Sequence, residues 1–518
     1  MQTLLRSWMV LRWSLSRRFF SVPIPLLTTN FDVKTGDLVL TLPVVIILVI
    51  INIILAATRS VGGSGTIASL GLLLVFFFAI RNNVLLLELS GISFERALFY
   101  HKLFAYTTIA LSALHGLAYL LAHHHGDEQG QDSKVTTGTI TFVAMVLLYA
   151  MSLNFIRRRF FEVFIKTHWI LFVVVVIAGV AHGAALALVG IAPWIIDMVF
   201  RLVYRTKIYK QGTIFKKKNS ENTSMNSNHN TSTGMGVIAS DQVSVAVLPG
   251  NIISVSFPRV REDTKETFEF EAGQYVFLCI PSISKLQWHP FTISSSSYED
   301  IVVFYIKVSG DWTKKVFEAA QKNDGTQFDM LVDGPYGKVS IDIANPEIYS
   351  HFALLAGGIG VTPMRSILNW LHYERYTLGR SKIKLVHFAW TLPNQVVMNA
   401  LLDNIVPNDE ACPTGYFPRI MIHDDANSVF RSEIYLTRAE RDVEVDQQLG
   451  NCLRYGTRPD IIVILRNLGE QAKKDGKERV AVLVCGPMSM VQTVLKASLT
   501  LSKEMKVQFD VHTELFEF

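Results

Sequence analysis

Apolar residues run almost without interruption from position 38 to 204, and from 216 to 518 hydrophobic and polar positions intermix as in a soluble protein. A bilayer crossing needs ~20 apolar residues. Residues 38–57 supply one with no charge, and 66–80, 97–122, 137–156 and 167–192 supply four more. Residues 193–204, short and carrying Asp197, make a sixth, and parity requires it. Basic residues in short loops mark the cytoplasmic side. Both Arg157, Arg158, Arg159 and Lys166 after span four and Arg201, Arg205, Lys207 and Lys210 after span six must lie inside, so spans five and six form one in–out–in hairpin. Counting back places the N-terminus inside and the loop beginning His123-His124-His125-Gly126-Asp127-Glu128 outside.

The polar half has its own divisions. Residues 206–236 contain a stretch of Lys, Asn, Ser and Thr with little to bury and read as a flexible linker. From 237 to 345, short alternating runs such as 243–247 and 301–307, punctuated by Gly and Pro, predict an antiparallel β-barrel. From 346 the runs 352–356, 384–390 and 479–484 alternate with helical texture and predict a doubly wound α/β sheet. The whole is a multidomain chain: an N-terminal basic segment (1–37), a six-helix transmembrane bundle (38–205), the linker, the barrel and the α/β domain (346–518).

Composition sharpens this. Half of the 518 residues are apolar and 18% are charged, against ~25% charged in ordinary soluble chains, which excludes a purely soluble enzyme. All four cysteines (Cys279, Cys412, Cys452, Cys485) lie in the polar half, excluding a disulfide scaffold or an iron–sulfur centre in the membrane. The net charge of +5 is small, and no motif suggests nucleic acid. Arg6, Arg12, Arg17 and Arg18, with no acid before residue 32, suit a basic helix on the inner membrane face or, alternatively, a mitochondrial presequence.

Ionisable groups inside spans are rare and usually functional. Spans three and five hold two histidines each, His101 and His115, His168 and His182, and both pairs are 14 residues apart. Fourteen helical residues turn through about 1400°, about 40° short of four full turns, and rise about 21 Å. The two histidines of a helix therefore share one face at two depths. Spans three and five run in the same direction, so His101 faces His168 and His115 faces His182. Two imidazoles meeting twice across a gap are what two stacked bis-histidine haems require; such a haem, both axial sites filled, moves electrons without binding O₂ at iron. Histidines that merely bond helix to helix would have no reason for the repeated interval.

With Gly91-Ile-Ser-Phe-Glu-Arg-Ala-Leu-Phe-Tyr-His101-Lys102 leading into span three, these segments resemble the ferric reductase and NADPH oxidase superfamily, and the likeness extends over about residues 38–518. It implies two haem b groups held by the four histidines, followed by a ferredoxin reductase-like module. Trp288-His289-Pro290-Phe291-Thr292-Ile293-Ser294-Ser295 resembles the family's flavin motif, in which Pro fixes an extended edge and the Thr and Ser hydroxyls can bond the rim of FAD. Lys307-Val-Ser-Gly310-Asp311-Trp312-Thr313 resembles the element that grips the FAD pyrophosphate with a basic residue and a helix start. The family more often has Arg at Lys307, and Lys keeps the charge but loses the bidentate fork. Asp333-Gly334-Pro335-Tyr336-Gly337 closes the barrel as in the family.

In the last domain, Gly357-Gly358-Ile359-Gly360-Val361-Thr362-Pro363 between a buried strand and a helix lets the backbone approach a pyrophosphate. Val484-Cys485-Gly486-Pro487-Met488 resembles the element beside the nicotinamide, where Cys485 packs and orients and is not a nucleophile. The terminal Phe518 resembles the movable aromatic shield over the flavin. Gly456-Thr457-Arg458-Pro459 resembles the adenosine-end motif with an inserted Thr, so Arg458 is the cation expected for the 2′-phosphate of NADPH; Thr391-Leu392, where relatives often carry Arg, keeps NADH as the alternative.

The resemblance implies electron flow from NADPH through FAD and the two haems to an acceptor on the opposite face. The 14-residue interval in both helices, Tyr119 where oxidases carry a further His, a short connection around Gly190-Ile191-Ala192 and no EF-hand loop favour Fe(III) or Cu(II) chelates. The oxidase-like texture of Lys285-Leu-Gln-Trp-His289 keeps O₂ reduction to superoxide as the alternative. A membrane-anchored flavin reductase serving a separate partner is a third. The outer loop from His123 to Asp132 is either a metal-gathering segment or a plain polar loop. The expected setting is the plasma membrane, with the N-terminus and reductase half cytosolic, or alternatively a mitochondrial membrane.

Overall fold

The structure is a computed structural model that describes residues 33, 35–79, 94–124, 132–199, 214–216, 234–403 and 429–514, apart from 263, 285–286, 323–327, 338, 346 and 442–451. The N-terminal segment, Phe518 and most of the linker and the outer loop lie outside the described residues. The chain forms two compact units, Met1–Thr206 and Lys207–Phe518.

The first unit is helical. A π-helical turn, Asp37–Thr41, leads into α1 (Leu42–Ala57), followed by α2 (Val61–Phe77), α3 (Phe94–His124), α4 (Asp132–Met151), the short α5 (Asn154–Arg159), α6 (Phe161–His182) and α7 (Leu186–Val199). Among the described residues four helices are long and apolar enough to cross a bilayer, and two shorter apolar ones, Val61–Phe77 and Leu186–Ile196, accompany them. On α1 only one stripe, Leu48, Asn52 and Ala56, is buried, while Ile46, Ile47, Ile50 and Ile54 are exposed, the outward apolar surface that a bilayer covers. Asn52 donates to the carbonyl of Leu111 at 2.8 Å, tying α1 to α3. Small residues allow close helix contact: an added Cβ at Gly190 of α7 would lie 2.5 Å from the backbone of Leu73 in α2. At the start of the π turn, buried Asp37 accepts from the Tyr100 hydroxyl at 2.8 Å and pairs with Arg96.

One expected boundary is corrected. Residues 167–192 do not form one span. Helix α6 ends at His182 with Gly183 in the left-handed region (φ +113°), and the amide of Ala184 closes back on Gly179 at 2.9 Å, a glycine C-cap. Residues 186–192 belong to α7, which carries Pro193 inside it, and the connection is Gly183–Ala185 rather than 190–192. Hydropathy misses this break because both sides of it are equally apolar.

The second unit begins with β1 (Phe215–Lys216), paired with β5 (Thr267–Phe268). Phe215 and Ile214 are buried in the sheet core, so part of the expected linker is structural, drawn in by an aromatic side chain. The other strands of this domain are β2 (Gly234–Ile238), β3 (Ser244–Leu248), β4 (Ile252–Pro258), β6 (Tyr275–Cys279), β7 (His289–Thr292), β8 (Ile301–Lys307) and β9 (Met330–Tyr336), with helix α8 (Asp311–Lys322) after β8. They form antiparallel sheets in the orders β2-β9-β6-β7 and β3-β4-β8 around one apolar core, rather than one continuous barrel sheet.

The last domain is a six-stranded parallel sheet. Its strands are β10 (His351–Gly357), β11 (Leu385–Leu392), β12 (Phe430–Leu436), β13 (Leu453–Tyr455), β14 (Arg479–Cys485) and β15 (Gln508–Glu514), and its helices are α9 (Val361–Tyr376), α10 (Gln395–Asp403), α11 (Ile461–Lys474) and α12 (Met488–Met505). The order β13-β12-β11-β10-β14-β15 reverses direction of travel between β10 and β14. Strand alternation sorts the helices: Phe352, Leu354 and Ala356 of β10 face α9 and α10, while Ala353 and Leu355 face α11 and α12. The first of these cores also takes in Leu248, Ile252, Ala272 and Tyr305, so the antiparallel sheets and the α/β domain share buried apolar contacts.

Candidate functional site

In the helical unit, α3 packs mainly on α1 and α2, and α6 mainly on α4. The histidine helices are thus seated by different neighbours, and their imidazoles reach across. Nε2 of His115 stands 3.5 Å from Nε2 of His182, with ring planes 69° apart, and His101 is an electrostatic neighbour of His168. The structure brings together the residues paired by spacing alone.

Two further bonds set the chemistry of the rings. Nδ1 of His101 donates to the carbonyl of Val75 at 3.0 Å, and Nδ1 of His182 donates to the carbonyl of Lys134 at 2.8 Å. A carbonyl only accepts, so both rings carry the proton on Nδ1 and keep the Nε2 lone pair for a metal; such outer bonds also orient a ligating ring. At 3.5 Å the facing Nε2 atoms of His115 and His182 stand close to the separation at which two imidazoles share one metal. The donor set fits an axial bis-imidazole group. Two glycines that sequence reasoning missed make room for the imidazole rings: a Cβ on Gly65 would stand 3.0 Å from Cε1 of His115, and one on Gly138 2.6 Å from Cε1 of His182. One turn beyond His115, Tyr119 stacks on His123 with centroids 5.8 Å apart.

Strand alternation divides the flavin motif. Thr292 and Pro290 lie opposite Tyr275 and Phe277 of β6, on a face shared with Tyr336, whose ring is 6.1 Å from that of Tyr275. Gly337 lets Tyr275 lie flat there, since a Cβ would come within 3.0 Å of its ring. His289 and Phe291 face the other way and pack on Trp312, at 4.6 Å and 5.9 Å between centroids. The hydroxyls of Ser294 and Ser295 do not line an open edge. Ser294 Oγ donates to the carbonyl of Thr362 at 3.4 Å, Ser295 Oγ accepts from the amide of Val303 at 2.7 Å, and both residues are fully buried. Ile293 is likewise buried. Of the motif, Thr292 and Pro290 share the face with the two tyrosines, a cluster no local signal in the sequence marks.

Lys307 ends β8 exposed, and Gly310 precedes α8. The Thr313 hydroxyl accepts from the amides of Ser309 and Gly310 at 2.9 and 3.1 Å, which organises the helix start. Its free N–H groups and the lysine suit an anion; Asp311 in the first turn opposes part of that field.

At the switch between β10 and β14, two glycine motifs interlock. A Cβ on Gly360 would lie 2.4 Å from the carbonyl oxygen of Cys485, one on Gly357 2.6 Å from Pro487, and one on Gly486 3.1 Å from the amide nitrogen of Gly357. Gly358 takes φ +58° with no described atom within 4 Å of a Cβ, leaving that turn open to a ligand. Its carbonyl accepts from Trp390 Nε1 at 2.9 Å. Val361, Thr362 and Pro363 are buried in the first turn of α9, so backbone at 357–360 is what a pyrophosphate can reach. Burial, and then the nearby charge of Glu514, pushes the Cys485 thiol far above its ordinary range, so it is a neutral packing group. Glu514, at the end of β15, pairs with Cys485 across the ladder. Arg458 is exposed between β13 and α11.

Known families and proteins match the chain along most of its length. The family model described as "Ferric reductase like transmembrane component" matches residues 64–179, "FAD-binding domain" matches 237–340 and "Ferric reductase NAD binding domain" matches 349–499. Mouse NADPH oxidase 1 is 29% identical over 279 residues, covering 49% of this chain and 44% of its own length. Ferric reduction oxidase 8, mitochondrial, of Arabidopsis thaliana is 28% identical over 354 residues, covering 65% of this chain and 42% of its own. A superoxide-generating NADPH oxidase heavy chain of Dictyostelium discoideum is 26% identical over 410 residues, 73% of this chain and 69% of its own. The chain thus spans less than half the length of the first two relatives. With a transmembrane helical region followed by FAD- and NAD-binding domains, and all three family models in order along it, the chain belongs to the ferric reductase and NADPH oxidase superfamily.

Proposed function

We propose that this chain is a transmembrane oxidoreductase that passes electrons from cytosolic NADPH through FAD and two b-type haems, in a six-span bundle, to Fe(III) or Cu(II) chelates on the opposite face. The observation that carries this is the meeting of His115 with His182 at Nε2 (3.5 Å), with His182 Nδ1 committed to a backbone carbonyl, one level above His101 and His168. When bound, FAD accepts a hydride and releases its electrons singly, which is what haem iron takes.

The protein's own residues supply positioning. His101 and His168 would hold one haem and His115 and His182 the other, at depths set by the 14-residue interval. Thr292 would orient the flavin edge. Lys307, Gly310 and the start of α8 would hold its pyrophosphate, with Trp312 and Thr313 shaping that turn. Backbone at 357–360 would cradle the dinucleotide. Cys485 would pack beside the nicotinamide, Arg458 would meet the 2′-phosphate, and Phe518 would shield the flavin until NADPH displaces it. The plasma membrane, with the reductase half in the cytosol, is the setting the basic loops support.

A second acceptor, O₂, is favoured by the likeness to proteins named as NADPH oxidases. One experiment separates the two: cell-surface ferric-chelate reduction measured beside dye reduction sensitive to superoxide dismutase. A dominant dismutase-sensitive signal replaces the metalloreductase assignment. Reduced-minus-oxidised spectra of the purified protein test the haems themselves; absence of a b-type signal leaves only a membrane-anchored flavin reductase.

A further inference from the structure

The loop that follows the flavin strand, residues 293–300, lies along α9, the helix that opens at the glycine turn. Arg365, one turn into α9, donates through Nη1 to the carbonyl of Ser294 at 2.6 Å and through Nη2 to Glu299 Oε2 at 3.0 Å. Asn369, one turn further, donates to Glu299 Oε1 at 2.9 Å. The same carboxylate oxygen also accepts from the amide of Ser296 at 2.7 Å. Ser366 Oγ donates to the carbonyl of Ser295 at 2.6 Å. At the far end Tyr298 stacks on Tyr373 with centroids 4.0 Å apart. Arg365 and Glu299 are 4% and 6% exposed.

A buried ion pair is weak evidence for added stability, because desolvation offsets much of its attraction and a well-packed apolar pair does as well. Unlike an apolar pair, though, a fork of charge-assisted hydrogen bonds fixes direction as well as contact. Here the fork joins the two motifs that must meet: Ser294 is two residues beyond Thr292, and Arg365 is two residues beyond Pro363. Apolar side chains shared between the two domains allow sliding; Arg365 bonded to a main-chain carbonyl does not.

We propose that Arg365 and Glu299 are positioning residues for hydride transfer, a latch that sets the strand carrying Thr292 against the turn 357–360. It rests on the proposed flow of electrons from NADPH to FAD. In that step two electrons and a proton leave the nicotinamide as hydride and pass to the flavin, NADPH becoming NADP⁺. A misplacement of about 1 Å in such a step can cost ~100-fold.

The test uses the full-length protein with FAD bound and follows anaerobic flavin reduction by NADPH in a stopped-flow instrument. Arg365→Lys keeps the charge but cannot reach the carbonyl and the carboxylate together. It is expected to slow flavin reduction on the order of 10–100-fold, with weaker nicotinamide–flavin charge-transfer absorbance and unchanged FAD content. Ser366→Ala, which removes only neutral hydrogen bonds, to the Ser295 carbonyl and from the Gly273 amide, and leaves the core filled, gives a smaller fall in the same direction and serves if the first variant does not fold. Wild-type rates in Ser366→Ala and in any folded Arg365→Lys overturn the latch, whatever happens to melting temperature. FAD loss in proportion to the rate also overturns it, in favour of a flavin-holding role. If the unmodified protein itself fails to reduce its flavin with NADPH, the functional proposal falls instead.

Discussion

Gly138→Ala would probe the proposed haem site at His115 and His182 without replacing either histidine. In an ordinary helix interior this change is favourable by ~1 kcal/mol. Here the new Cβ would stand 2.6 Å from Cε1 of His182, 2.9 Å from Nδ1 and 3.1 Å from Nε2, against 3.4 Å for ordinary contact. The whole ring edge must therefore retreat by about 0.8 Å, which also strains its 2.8 Å bond to the Lys134 carbonyl. Overpacking of this kind costs ~1–3 kcal/mol, enough to cancel the helix gain, and a metal–imidazole bond of ~2 Å cannot lengthen by that much. The expected outcome is a fall from two haems to one per chain, read by pyridine haemochrome content and by loss of one midpoint in a redox titration. Gly65→Ala, with 3.0 Å to His115 Cε1, should shift a potential without losing the group, and Gly116→Ala, with no described atom within 4 Å, should change neither. Two haems with wild-type potentials in folded Gly138→Ala would refute this seating of His182.

Gly360→Ala puts a Cβ 2.4 Å from the Cys485 carbonyl, a backbone atom that cannot swing aside; NADPH-driven flavin reduction should be lost while FAD content and dithionite reduction of the haems persist. The Glu433 carboxyl is lowered to about 2, first by hydrogen bonding from His387 and then by Tyr435 and the charges of His387 and Arg454. Its folded pKa lies below the unfolded value of ~4.3, so its contribution is complete above about pH 5 and is lost as pH falls toward 2. Glu433→Gln should therefore flatten the acid limb of the melting-temperature profile between pH 5 and 2, and an unchanged limb would rule this carboxylate out.

Much of the architecture was legible in the residues alone, because the signals are periodic or compositional. Charge-free apolar runs, the 14-residue interval of His101–His115 and His168–His182, and the glycine turn after a buried strand each follow from local geometry. What periodicity cannot carry is contact between distant segments. The end of α6 at Gly183 is silent in hydropathy, and the inward turn of the Ser294 hydroxyl depends on α9, some 70 residues on, as that of Ser295 depends on the amide of Val303 in β8. Nor could spacing show that Gly138 clears space for a ring 44 positions away, or that Arg365 reaches across to Glu299. Those are steric and hydrogen-bond relations between elements, and only the folded packing decides them.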